Sequence, residues 1–111
     1  MTAQEIFTTV VTHLRGQGTK AQTPQLGCVY RGPHNTKCAV GCLIPDALYT
    51  PNMEGTVVGC LPDKFPALGF LSEHLDLLHD LQVMHDDSNV EEWECRLESI
   101  ANAYTLELPP C

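Results

Sequence analysis

At 111 residues the chain has room for one domain with a modest core, and a hydrophobic content of 43% argues against disorder. Residues 1–72 carry four acids and five bases (net +1), whereas residues 73–111 carry ten acids and one base, Arg96 (net −9), giving the overall −8. Such a field repels nucleic acid and attracts basic protein surfaces; no apolar run approaches the roughly 20 residues of a spanning helix, and no membrane partner is expected.

The opening stretch MTAQEIFTTVVTHLRG has no basic start, continuous apolar block or small-residue cleavage site. It is not a signal peptide, so a cytoplasmic setting with reduced thiols is expected. Thr2 and Glu5 have capping-box spacing, and Ile6, Phe7, Val10, Val11 and Leu14 follow at helical period. A helix over 3–15 is predicted, stopped by Gly16 and Gly18, with GQGTKAQTPQ as a loop.

Residues 28–46, CVYRGPHNTKCAVGCLIPD, read as a β-hairpin spanning about 27–44 around the turn formers of GPHNT. A turn centred on His34 and Asn35 sets Arg31 opposite Cys38, Val29 opposite Val40 and Cys28 opposite Gly41. On a strand Cys38 and Cys42 stand roughly 13 Å apart, too far for a disulfide or a shared metal. Only a helical 38–42 would bring them together, and Val40 and Gly41 argue against one. Short helical turns and loops follow between Pro45 and Pro66.

Helix returns over about 67–105. Leu71, Leu75, Leu78, Gln82 and His85 form one stripe, widened by Leu77, Leu81 and Met84, while Glu73, Asp76 and Asp80 face solvent. DDSN breaks this helix, and Ser88 with Glu91 predicts the cap of a last one carrying Val90, Trp93, Leu97, Ile100, Ala101 and Tyr104. The fold class is therefore α+β: a single small domain over 1–111, a β-hairpin packed against about three α-helices.

The residues offer little chemistry. A metal site would draw on Cys38, Cys42, Cys60 and a histidine, but no CxxC or HExxH occurs, and His74 and His79 lie about 140° apart around a helix. No metal and no cofactor is implied. A catalytic alternative pairs Cys38, near Arg31 and Lys37, with His85. Asp86, the next residue after His85, diverges from it on a helix and is not expected to orient it. Gln82 and His85 are polar groups on an apolar stripe, and buried polar groups need partners. Backbone groups of the hairpin or of the loop at 45–55 are the expected ones.

The pattern C-V-Y-R-G-P…K-C-A-V-G-C-L-I-P-D…Y-x-P-x-M-E-G, with the later L-Q-V-M-H-D…W, resembles a group of small proteins encoded by tailed bacteriophages and prophages. The resemblance implies a bacterial cytoplasm and a small accessory protein, and carries no activity or functional residue with it. The expected function is a non-catalytic protein that binds a host bacterial protein with a basic surface and inhibits or redirects it, anti-CRISPR action being one version. Its partner-binding residues are expected to be Asp76, Asp80, Asp86, Asp87, Glu91, Glu94 and Glu98. The alternatives are a cysteine enzyme using Cys38 and His85, or a self-assembling phage component.

Overall fold

The computed structural model describes residues 1–110. Helix α1 (Ala3–Gln17) starts as its sequence dictates: the Thr2 hydroxyl accepts the Glu5 N–H at 3.1 Å, and the Glu5 carboxylate accepts the Thr2 N–H at 2.8 Å. Gly18, left-handed at φ 69°, closes it by donating to the Leu14 carbonyl. Ile6, Phe7, Val10, Val11 and Leu14 are all buried.

The extended hairpin over 27–44 does not form. Gly27–Cys28 (β2) pairs backwards, antiparallel, with Gln22–Thr23 (β1), in a segment expected to be loop; Cys28 lies opposite Gln22 and Gly27 opposite Thr23. The Val29 N–H donates to the Ala21 carbonyl at 2.9 Å and is therefore spent upstream, not on Val40. A tight turn around His34 remains, but its one bridge joins Arg31 to Lys37, one residue short of the expected Cys38. Beyond it the chain coils. The Cys42 N–H donates to the Cys38 carbonyl and Leu43 to Val40, and Gly41–Leu43 is a 3₁₀ turn. The expectation that Cys38–Cys42 would be strand is thus corrected. Gly41 permits the coil, because a Cβ there would lie 2.1 Å from the Tyr30 carbonyl oxygen.

The proline-rich middle is a series of short turns, with helix α2 at Leu61–Lys64 and a 3₁₀ run at Pro66–His74 leading into α3 (Leu75–Asp87). The last helix, α4 (Trp93–Ala103), is preceded by a turn capped by Asn89 and Glu92, one residue later than Ser88 and Glu91; the Glu92 carboxylate accepts the Asn89 N–H at 3.2 Å. Ser88 is instead buried as the C-cap of α3. Residues 107–110 return along α1. Gln4 exchanges two hydrogen bonds with the Glu107 backbone, and the Arg15 guanidinium donates to the Pro109 carbonyl at 2.7 Å.

The result is a compact, helix-dominated α+β fold, with a Cα radius of gyration of 13.1 Å, in which the two-stranded sheet is a minor element. Its core joins α1 to Leu77, Leu78 and Leu81 of α3, Trp93 and Leu97 of α4, and Cys38, Ala39 and Val40. No helix among the described residues is long and apolar enough to cross a membrane.

Candidate functional site

The apolar stripe of α3 carries its polar exceptions to one place. Gln82 and His85 are buried, and both reach the backbone of segments that pack on α3. Gln82 Oε1 accepts the Val40 N–H at 3.1 Å, within the hairpin region expected to supply the partner. His85 Nε2 accepts the Ala21 N–H at 3.2 Å, a partner from the segment read as loop. Because Nε2 accepts, the ring proton sits on Nδ1, which donates to Asp86 Oδ1 at 2.7 Å. Gln82 Nε2 donates to the same oxygen at 2.8 Å.

Asp86 therefore does orient His85, contrary to expectation. The separation by about 100° around the helix is overcome because Gln82, four residues earlier, draws the Asp86 carboxylate back towards the buried face. The ring of His85 also stacks on Trp93, centroids 5.6 Å apart. Trp93 is itself buried in the core. Tyr104 is half-buried and donates its hydroxyl to Asp80 at 2.6 Å.

A cleft of about 300 Å³ opens beside this network, between His79, Gln82, Val83 and Asp86 of α3 and the segments 28–30 and 54–58. Glu54 builds its far wall: one carboxylate oxygen accepts the Tyr30 N–H at 2.8 Å, the other the Arg31 N–H and the Tyr49 hydroxyl. The Tyr30 hydroxyl donates to the Thr56 carbonyl and ties segments 28–30 and 54–58 together. The Arg31 guanidinium lies over the Tyr49 ring and pairs with Asp46 at 2.8 Å.

Ligand atoms of Cys28, His85 and Asp86 all lie within 4.8 Å of one another. The donor pattern does not suit a metal. An ion on His85 Nδ1 would move the ring proton to Nε2, against the Ala21 N–H, setting donor against donor in the core. Nor are Cys28 and Cys38 activated thiols. Burial, then the Asp86 carboxylate, push the Cys28 thiol up to about 11. Burial pushes Cys38 up to about 12, although the Gly41 N–H donates to its sulfur at 3.2 Å. Cys38 is fully buried, and both nitrogens of His85 are engaged elsewhere. The structure does not assemble these two residues into a nucleophile–base pair.

The acids separate into distinct settings. Asp76, Asp80, Asp87, Glu91, Glu94 and Glu98 are exposed, whereas Asp86 is half-buried in the network above. Asp80 and Asp87 line a groove between α3 and α4 that Arg96 shares, while Glu94 sits on the α1 side, held by Arg15 at 2.7 Å. Sequence reasoning found Gln82 and His85 but missed Cys28, Lys20, Ala21 and the inward turn of Asp86. The signal present was three hydrogen-bonding residues, Gln82, His85 and Asp86, clustered at one end of an apolar stripe. No protein-family model, no curated protein and no solved structure matches the chain.

Proposed function

We propose that this is a non-catalytic binding protein of the phage accessory type, which docks its acidic C-terminal part on a basic surface of a host bacterial protein and inhibits or redirects it. Interference with a host defence system, CRISPR included, is one form of that action. The reading is supported by one contrast: six of the seven acids named for binding are solvent-exposed, while Gln82, His85 and Asp86 are engaged in internal hydrogen bonds. Complementary charge steers encounter and gives a contact sensitive to salt.

The test uses the full chain as bait in bacterial lysate at low and moderate salt, compared with a variant carrying Asp76→Lys, Asp87→Lys, Glu91→Lys and Glu98→Lys. Asp80 and Glu94 are spared because they hold Tyr104 and Arg15. The expected outcome is a stoichiometric host protein that is lost as salt rises and is not retained by the folded variant. Equal retention by the variant would refute the acidic docking surface.

A further inference from the structure

We propose that the cleft between residues 54–58 and α3 is a socket for a lysine side chain of the partner. This assignment rests on the reading of the protein as a binder of a basic surface, and it names the contact. The cleft, about 300 Å³, has room for an aliphatic stem ending in an ammonium group. Two of the five large apolar side chains exposed on the described residues, Val57 and Val83, stand at this cleft, and the buried Tyr30 and Val58 line it too. These surfaces suit the methylenes of a lysine.

The polar end is negative. Asp86 and Glu54 line the cleft, and no lysine or arginine does. Glu54 has donors on both oxygens. Asp86 differs: Oδ1 takes the His85 and Gln82 donors, the weakly donating Cys28 thiol lies against the carboxylate, no N–H of the described residues donates to Oδ2, and a third of the side chain stays exposed. The one neighbouring ammonium, Lys20 Nζ, is turned to the Asp86 backbone carbonyl at 3.0 Å and makes no ion pair with its carboxylate. A single open carboxylate oxygen favours lysine over arginine. A guanidinium forms its strong contact with two oxygens side by side, and here one is already occupied.

The experiment is a two-dimensional NMR titration of ¹⁵N-labelled protein with N-acetyl-lysine methylamide, alongside the arginine and norleucine analogues. The expected result is saturable shifts of the Cys28, Thr56, Val58, Val83 and Asp86 amides with lysine, at least tenfold weaker with arginine and absent with norleucine. Asp86→Asn keeps an oxygen for His85 and Gln82 while removing the charge, and is expected to abolish the lysine response with the rest of the spectrum unchanged. Absence of a saturable shift, equal shifts with norleucine, or full lysine binding by a folded Asp86→Asn protein would each overturn the socket. Since the titration needs no host protein, an empty socket leaves the acidic surface standing, and loss of the lysate partner leaves the socket to be judged by its own shifts.

Discussion

Gly41 is the residue on which the local backbone most depends. It meets the Tyr30 carbonyl with no room for a side chain, and its coil carries the Cys38 and Val40 backbone into the core. Gly41→Ala forces that carbonyl away, and strands Cys38 N–H, which donates to it at 3.2 Å. A loss of about 3 kcal/mol or more is expected, measured by urea unfolding. The sequence Ala-Val-Gly-Cys gave no local warning of this, because the constraint comes from a residue eleven positions earlier. His85 and Asp86 teach the same lesson. Their residue types were legible as odd on an apolar stripe, but the direction of the Asp86 carboxylate was decided by Gln82 and by a backbone amide from another segment.

At the level of elements, α1 was legible almost to the residue because its cap, its period and its glycine stop are all local. So was the buried stripe of α3. The hairpin was not, because Gly27–Cys28 had two candidate neighbours and the choice between them is tertiary. The expected start of the long helix is also different: Pro66–His74 is a 3₁₀ run with a kink at Leu68. What joins α3 to the coil at 38–43 is chiefly one amide side chain: Gln82 accepts from Val40 and donates to Asp86. Gln82→Met keeps the volume and removes both bonds, leaving a buried N–H unsatisfied. It is expected to cost about 1–3 kcal/mol in chemical denaturation, whereas an exposed position such as Gln25 changed to Met should cost almost nothing.

For the whole molecule, thiols make stability depend on alkaline pH. Burial raises Cys38 and Cys42 to about 12 and Cys28 to about 11. In the unfolded chain these groups lose their protons near their ordinary value of about 8.5. Their protonated form therefore favours the fold fully below that value. The contribution fades as pH rises from there towards the folded values, since the unfolded state then holds fewer protons. The urea midpoint is expected to fall between about pH 8 and about pH 10 at constant ionic strength, and to fall less in Cys38→Ala. A flat profile would contradict the burial of these thiols.

The strand of chain at 107–110 lies along α1, held by Gln4 and Arg15 across sequence separations of 103 and 94 residues. Contacts that close so long a loop come late on a folding route, after nearer pairings have reduced the entropy of closure. The outer flank of the first helix is thus completed only when nearly everything between has found its place. In kinetic terms the segment is expected to act as a latch that closes at the end of folding and opens early and locally with the core intact, so its amides should exchange with solvent well before those of α3.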